Sequence, residues 1–195
     1  MTKSDNKAKE IRMEGIMQAA LNLFLERGYS GTSTTDICKS AHINKATLFY
    51  YFGSKRNLFS EIHKQSLAGD LEPFMDAASQ LEDPYERYIF LIREFTKMVC
   101  HHPELRILIH ETLAINDSYF KEIRKKWKRH YFLLRDTISE LQSDGRFHPE
   151  LKPTWTALLL LGMVTWITFW FDYSREDQID EVVETSVKTA CTLIR

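Results

Sequence analysis

The chain has 195 residues, enough for one ordinary domain or for a small domain followed by a medium one. Hydrophobic residues make up 44% and charged residues 27%, which is typical of a soluble globular protein. Glycine and proline are scarce, at 7 and 5, so most of the chain can form helix. The three cysteines are far apart and form no CxxC pair, which argues against a zinc ribbon or a disulfide framework.

The net charge of −1 is unevenly distributed along the chain. Residues 1–60 carry nine basic and five acidic side chains, a net charge of +4, and the remainder carries 17 against 22, a net charge of −5. A basic first part on an acidic remainder suits a protein of which only the first part faces phosphate. The polar and charged start of the chain predicts no signal peptide, and we expect a cytoplasmic protein.

Helix start and stop signals are dense in the first part of the chain. Gly28 follows an apolar stripe at three- and four-residue spacing and ends the first helix. Ser33 followed by Asp36 resembles a capping box, Asn44 is a good N-cap, and the Gly-Ser pair at 53–54 separates two further helices. The predicted helices are residues 7–27, 34–41, 45–51 and 55–70.

The second part predicts longer helices, at residues 84–101, 103–115, 117–144, 153–173 and 176–193. No alternating strand pattern competes with them, and no internal repeat occurs. The predicted fold class is therefore all-α, with about nine helices in all. We expect an N-terminal three-helix head at 1–55 and a second helical domain at 56–195, with the fourth helix running continuously between them.

The segment Thr32–Phe52 predicts two short helices joined by a tight turn, a helix-turn-helix motif at about residues 33–52. A helix is about as wide as the major groove of DNA, so the second helix can insert its exposed face there. We expect that face to consist of Lys45, Ala46, Thr47, Tyr50 and Tyr51. Lys45 suits a guanine or a phosphate, and Ala46 and Thr47 suit a thymine methyl group. Phosphate clamps are expected from Thr34, Thr35, Lys55 and the amide end of the fourth helix.

The whole head resembles the TetR family of transcriptional repressors. The matching residues are Ile16, Ala19, Ala20, Leu23, Phe24, Gly28, Tyr29, Thr32, Ser33, Ile37, Ala41, Lys45, Thr47, Leu48, Tyr50, Tyr51, Phe52, Lys55 and Leu58. Three positions depart from the family pattern: His42 replaces the usual turn glycine, Ala46 replaces a frequent glycine or proline, and Phe49 replaces a tyrosine whose hydroxyl touches phosphate. The resemblance implies a repressor that binds a double-stranded operator, responds to a small effector, and forms a homodimer through its last two helices.

The run from Pro153 to Phe171 contains no charged side chain and is long enough to raise a transmembrane alternative. Four threonines, Gly162 and three tryptophans interrupt it, and its flanks, Lys152 and Asp172, do not form a positive cluster. We therefore expect no membrane association. A helix that is apolar all round is normally buried between protein layers. One side would face an effector cavity and the other side the dimer partner.

Aromatic and soft side chains on helices that should face each other suggest where an effector binds. The candidates are Phe95, Met98, Val99, Leu113, Trp127, Tyr131, Leu134, Met163, Trp166 and Trp170. For any one of them, ordinary core packing is the alternative. Residues 161–180 are similar to the C-terminal region of TetR members that respond to acyl-CoA thioesters. Six bases, Lys121, Arg124, Lys125, Lys126, Lys128 and Arg129, form either a solvated face or a site for coenzyme A phosphates.

These observations predict a mainly apolar effector, either a fatty acyl group or an acyl-CoA. The alternative is a TetR-type regulator of multidrug efflux that responds to aromatic or cationic drugs. An enzyme is not expected, because the chain lacks a Gly-rich phosphate loop, HExxH, GxSxG and a useful Cys–His spacing. No cofactor is predicted. No metal site is predicted either, because the adjacent His101 and His102 point to different sides of a helix. The acidic second part argues against a non-specific architectural DNA binder.

Overall fold

A computed structural model describes the backbone of residues 3–66, 69, 71–114 and 121–195, and the side chains of residues 7–66, 69, 71–109, 121 and 124–195. This part of the chain contains ten α-helices, a 3₁₀ turn at Glu176–Gln178, and a single isolated antiparallel bridge between Phe147 and Ile194. The all-α prediction is confirmed. The helices are α1 (Lys3–Gly31), α2 (Thr34–Ser40), α3 (Lys45–Phe52), α4 (Lys55–Ser66), α5 (Glu72–Ser79), α6 (Pro84–His101), α7 (Leu105–Ala114), α8 (Lys121–Ser143), α9 (Pro153–Trp170) and α10 (Ile179–Cys191).

The chain divides into two compact units. The first, here called the head, comprises Met1–Ser66 and Ile107–Asn116, and the second, here called the body, comprises Leu67–Arg106 and Asp117–Arg195. The head thus includes α4. The predicted domain boundary after residue 55, which would place most of α4 in the second domain, stays a prediction. The predicted continuation of the fourth helix to residue 70 falls in part on residues 67, 68 and 70, which lie outside the described residues.

The core of the head is an aromatic cluster that joins α1 to α4. Gly28 takes φ 75° and ψ 164°, so the chain makes a turn inside α1, before its last residues, 29–31. The turn brings Tyr29 to 5.4 Å from Phe24 and 4.9 Å from Phe59, measured between ring centroids. Phe24 and Phe59 also meet edge to face at 5.7 Å. Residues that are far apart in the sequence are thus held in one rigid support for α2 and α3.

The core of the body is built around α6, which packs against α8, α9 and α10. Tyr88 is fully buried there, and its hydroxyl donates a 3.0 Å hydrogen bond to the carbonyl of Ala190. Burial raises the pKa of the Tyr88 hydroxyl, so it stays a neutral donor. Its ring meets Phe147 edge to face at 5.8 Å. The helices that precede and follow α9 are therefore fixed to one central element.

Two ion pairs join α6 to neighbouring helices and add to this packing. Arg87 donates to both carboxylate oxygens of Glu140 on α8, at 3.0 to 3.2 Å, and to the carbonyl of Leu81 at 3.1 Å. Arg93 pairs with Glu184 on α10. The Arg87 fork is the more specific of the two, because its side chain is largely buried and its geometry is bidentate.

Several helix boundaries differ from the predicted ones. The structure has a short helix, α5, that the sequence pattern did not predict. The last turn predicted for α9 is absent, since Phe171 is extended with ψ 129° and the helix ends at Trp170. The predicted start of the long helix at residue 117 and the predicted end of the preceding helix at 115 lie outside the described residues.

By length and composition, α9 is apolar enough to cross a membrane. Within this protein, 33% of the helix is buried. Its exposed side carries large apolar side chains in one continuous strip. These are Trp155, Leu158, Leu159, Trp166, Phe169 and Trp170, between 45% and 74% exposed. This strip, here called the α9 face, requires another surface to cover it.

Candidate DNA-binding and effector-binding sites

A capping box begins α2. The Ser33 hydroxyl accepts a hydrogen bond from the Asp36 amide at 3.1 Å, and the Asp36 carboxylate accepts one from the Ser33 amide at 3.0 Å. The Ser33 hydroxyl also donates to the Asp36 carboxylate, and this bond, together with the one from the Ser33 amide, holds the pKa of Asp36 below its ordinary value. The predicted capping box is confirmed, and it fixes the helix that crosses the DNA backbone in proteins of this type.

The turn between α2 and α3 is a Schellman motif with histidine at its left-handed position. The His42 amide donates to the Lys39 carbonyl at 3.3 Å, and the Ile43 amide donates to the Cys38 carbonyl at 3.0 Å. His42 has φ 52°, a conformation that glycine adopts without the steric cost of a Cβ. The turn forms with histidine in place of the usual glycine. The direction of α3 is therefore set by these backbone hydrogen bonds and does not require a glycine at the turn.

Asn44 begins α3 as predicted. Its side-chain oxygen accepts hydrogen bonds from the Thr47 amide at 2.8 Å and from the Thr47 hydroxyl at 2.9 Å. Leu48 and Phe52 are buried against the head, whereas Tyr50 is 77% exposed, with its ring 5.1 Å from that of Tyr51. The Thr47 hydroxyl already donates to Asn44, so the Thr47 methyl group is the part of this side chain that can contact a base.

All five predicted readers lie on one short helix. Lys45, Ala46 and Tyr50 are exposed, and Thr47 and Tyr51 are half-buried. Phe49 is 48% exposed on the same helix and carries no hydroxyl. The structure thus brings together a cation, a methyl-bearing pair and two phenols at the outer side of the motif, the mixture of groups that base edges and phosphates bind.

The predicted phosphate clamps have different surroundings. Thr35 is exposed and Thr34 is half-buried at the start of α2. Lys55, in contrast, donates 2.8 Å hydrogen bonds to the carbonyls of Tyr29 and Thr32, and its ammonium lies 4.2 Å from the centre of the Tyr29 ring. The Lys55 ammonium therefore joins the end of α1 to α4, and its predicted contact with phosphate stays a prediction.

The body contains a second aromatic cluster around Phe95. The Phe95 ring lies 4.6 Å from the imidazole of His130 and 6.2 Å from Trp127, and Phe74 of α5 lies 5.3 Å from His130. His130 is fully buried, and burial lowers the pKa of its imidazole to about 3. A neutral imidazole among three aromatic rings can recognise an apolar group that carries one hydrogen-bonding atom.

The sequence analysis missed Phe74 and His130. His130 lies three residues after Trp127 and four before Leu134 on α8, so the helical repeat carried a signal for it. Phe74 belongs to α5, which was not predicted, and so had no such signal.

The structure does not gather all ten predicted effector residues in one place. Phe95, Met98, Val99 and Leu134 are buried, and Tyr131 and Met163 pack against the body core. Trp166 and Trp170 are instead 60% and 56% exposed on the α9 face. Leu113 lies outside the residues whose side chains are described. The two tryptophans therefore point away from the aromatic cluster.

The six bases of α8 separate into two groups. Lys126 pairs with Glu72 at 2.5 Å and Arg129 pairs with Asp76 at 2.6 Å, so these two attach α5 to α8. Lys121, Lys125 and Lys128 are exposed, and Arg124 is half-buried. The exposed lysines are spaced four and three residues apart and fall on one side of the helix.

The remaining candidate groups are structural. His101 and His102 contact the Lys97 carbonyl at 2.8 Å and the Glu104 carboxylate at 3.0 Å, respectively. Cys100 is buried, and burial raises the pKa of its thiol to about 11, which makes it unreactive. Among the described residues, no group of three His, Cys, Asp or Glu side chains is placed to hold a metal ion.

Comparison with known proteins identifies both units. Residues 16–62 match the N-terminal profile described as bacterial regulatory proteins of the tetR family. Residues 81–194 match the profile described as tetracyclin repressor-like, C-terminal domain, which is more than half of the chain. The chain belongs to the TetR family. It is therefore a transcriptional regulator and not an enzyme, as predicted.

Individual relatives agree with this assignment. The HTH-type transcriptional regulator YvdT of Bacillus subtilis is 25% identical over 175 residues, covering 87% of this chain and 88% of the relative. The HTH-type transcriptional repressor KstR2 of Mycolicibacterium smegmatis is 28% identical over 147 residues, covering 72% of this chain and 69% of the relative. The structure of AibR in complex with isovaleryl coenzyme A and operator DNA shares the fold, with a TM-score of 0.82 and 24% identity over 91% of this chain and 97% of that chain.

TetR-family regulators bind operator DNA and small-molecule effectors, and dimers are typical of them. They are in general soluble and cytoplasmic proteins.

Proposed function

We propose that this chain represses transcription from a palindromic operator and is released by an acyl-CoA. The observation that carries the proposal is that one chain contains two features: an exposed polar and aromatic face on α3, and an aromatic cluster with a buried neutral histidine in the body. The first suits base edges, and the second suits an acyl group.

The DNA contacts are proposed for α3 and the start of α2. Tyr50 and Lys45 are the most accessible polar groups of α3, and the Thr47 methyl and Ala46 lie beside them. Thr35 is the proposed phosphate contact on α2. Lys55 acts indirectly, since its hydrogen bonds to the end of α1 hold α4 in place.

A dimer is proposed through the last two helices, with the α9 face as its centre. Six large apolar side chains on one strip are costly in water, and burying each one contributes about 1.5–3 kcal/mol. Two-fold symmetry would place each strip against its copy in the partner and give two reading helices for a palindrome. In this proposal, Trp166 and Trp170 belong to the dimer contact and not to the effector site.

The effector site is proposed at the Phe95 cluster, with the acyl chain beside Phe74, Phe95 and Trp127. The thioester carbonyl is the group that a neutral His130 would bind by donating a hydrogen bond. Lys121, Lys125 and Lys128 lie within about two and a half turns of Trp127 and His130 along α8 and would meet the phosphates of coenzyme A. The fold shared with AibR, whose structure contains isovaleryl coenzyme A, supports this class of effector.

Release from DNA requires that the effector bind the released state more tightly than the DNA-bound state. A ligand with equal affinity for both states would shift nothing, however tightly it bound. The test is a titration of the protein–operator complex with acyl-CoAs of increasing chain length. Free coenzyme A, the matching fatty acids and an aromatic cationic drug serve as comparison ligands.

We expect release by an acyl-CoA and none by coenzyme A alone. A triple variant, Lys121→Ala, Lys125→Ala and Lys128→Ala, should lose affinity for the acyl-CoA while keeping its affinity for DNA. Release by the cationic drug alone would favour the multidrug alternative. If no chain length releases DNA, the proposed effector class is wrong.

A further inference from the structure

The N-terminal part of α1 extends beyond the region that matches the family's DNA-binding profile. That match begins at residue 16, whereas α1 begins at Lys3. From residue 7 to residue 15 the side chains are exposed, except for a half-buried Met13. An exposed helical extension of about two and a half turns has no part in the core of the head.

This extension forms one wall of a groove of about 460 Å³, with the helix-turn-helix turn as the other wall. Ala8, Ile11, Arg12 and Gly15 line it from α1, and Ala41 and Ile43 line it from the turn. Ile43 is followed directly by Asn44 and Lys45, the end of α3 that enters the major groove in helix-turn-helix proteins. The groove is therefore continuous with the reading face.

Charge is distributed asymmetrically around the extension. Arg12 is exposed on the groove side, and Lys9 flanks it one turn earlier. By the 3.6-residue repeat, Glu10 and Glu14 fall on the opposite side of α1. The groove side of α1 is thus cationic and carries small side chains, and the two carboxylates do not face the groove.

We propose that this groove binds the sugar-phosphate backbone of the operator beside the major groove that α3 enters. Arg12 would hold a phosphate by a charge-assisted hydrogen bond. The small side chains of Ala8 and Gly15 leave room for a deoxyribose, whose carbon atoms would rest on Ile11. The contact is to the backbone, so it carries affinity and orientation but no sequence information.

The proposal rests on operator binding and does not depend on the effector. Its test uses the full-length protein and a DNA fragment that this protein selects from a random-sequence pool. Binding is measured between about 50 and 300 mM salt for the wild type and for Arg12→Ala, on the selected DNA and on random DNA. Arg195→Ala, which removes an exposed arginine of the body, is the matched charge control.

For Arg12→Ala we expect roughly tenfold weaker binding at ~100 mM salt and a salt slope that is smaller by about 2 per dimer, from one phosphate per protomer. The loss should be equal on selected and random DNA. Arg195→Ala should behave as the wild type. An unchanged slope, or a loss confined to the selected DNA, would overturn the assignment to backbone phosphate.

A second variant tests the groove itself without removing charge. A Cβ added at Gly15 meets no atom within 4 Å, so the backbone accepts a side chain there, and Gly15→Leu places a large apolar group in the groove and improves helix propensity. We expect it to weaken binding to both DNAs several-fold while the protein stays folded and dimeric. Ser143→Leu, at an exposed position of α8, is the matched control. Wild-type affinity in Gly15→Leu would contradict the proposal, and failure of the wild type itself to bind would instead contradict operator binding.

Discussion

His42 occupies a backbone conformation that costs energy for any residue with a Cβ. At φ 52° an L-residue with a Cβ is disfavoured by about 1–2 kcal/mol. Glycine avoids this strain but loses more conformational entropy on folding, which costs roughly 0.5–1 kcal/mol. We therefore expect His42→Gly to raise the stability of the protein by about 0.5–1 kcal/mol, as measured by the denaturant midpoint. His101→Gly, at the last residue of α6, should instead destabilise it by roughly 0.3–0.5 kcal/mol. A loss of stability in His42→Gly would mean that the imidazole makes a favourable contact.

His130 makes the stability of the body depend on pH. Its folded-state pKa of about 3 lies below the ordinary 6.5, so the unfolded chain takes up the proton first as the pH falls. Stability is fully present above pH 6.5 and is lost as the pH falls from there toward 3. At pH 5 the loss amounts to about 2 kcal/mol by linkage.

The measurement is thermal unfolding between pH 7 and pH 5 for the wild type and for His130→Gln, which cannot take up the proton. The variant starts from a lower stability, but its decline over this range should be shallower than that of the wild type. Parallel declines in the two proteins would show that the burial of His130 is not the cause.

Lys55 illustrates what the sequence cannot supply at the scale of single residues. The capping serine, Ser54, correctly predicted that α4 begins at Lys55, and a lysine at the start of that helix suits phosphate. Its actual partners, the carbonyls of Tyr29 and Thr32, lie more than twenty residues earlier in the chain. Only the turn at Gly28 brings them within reach, and no local pattern encodes that distance.

Among the elements, those with explicit start and stop signals were predicted most closely. The capping box of α2, the Asn44 cap of α3, and Gly28 and Gly53 placed the boundaries of three helices to within a few residues. The helix α5 was missed because its eight residues give only two turns of apolar pattern, too short for the helical period to stand out.

The orientation of α9 could not be derived because the helix is apolar all round. Without a polar side, the periodicity does not say which residues point inward. The sequence analysis accordingly assigned Trp166 and Trp170 to the effector site, and the structure exposes both.

The α9 face gives a prediction about assembly. Leu159 is 74% exposed, so Leu159→Lys should leave the fold of one protomer intact while placing a charge in the proposed dimer contact. We expect this variant to sediment as a monomer at micromolar concentration, where the wild type is a dimer. Phe132→Lys, which alters an exposed aromatic residue of α8, should remain dimeric. A dimeric Leu159→Lys would place the interface elsewhere.

At the scale of the whole molecule, the sequence was sufficient for the fold class, the family and the position of α3, because each depends on local patterns with fixed spacing. The aromatic cluster around Phe95 depends on packing between helices that lie far apart in the sequence. Phe95 and Trp127 were among the predicted effector residues, whereas His130 and Phe74, which contact them or each other in the cluster, were not.

The central claim is that α3 reads DNA, and Tyr50 tests it most directly. Its side chain is 77% exposed, so Tyr50→Ala should leave the protein folded and the α9 face unchanged. Phe132→Ala is the matched control for losing an exposed aromatic ring. The measurement is a footprint on DNA that the wild type selects and protects at two half-sites, about one or more helical turns apart. We predict that Tyr50→Ala gives no footprint at the concentration at which the wild type and Phe132→Ala give a complete one; full protection by Tyr50→Ala would contradict the placement of α3 in the major groove.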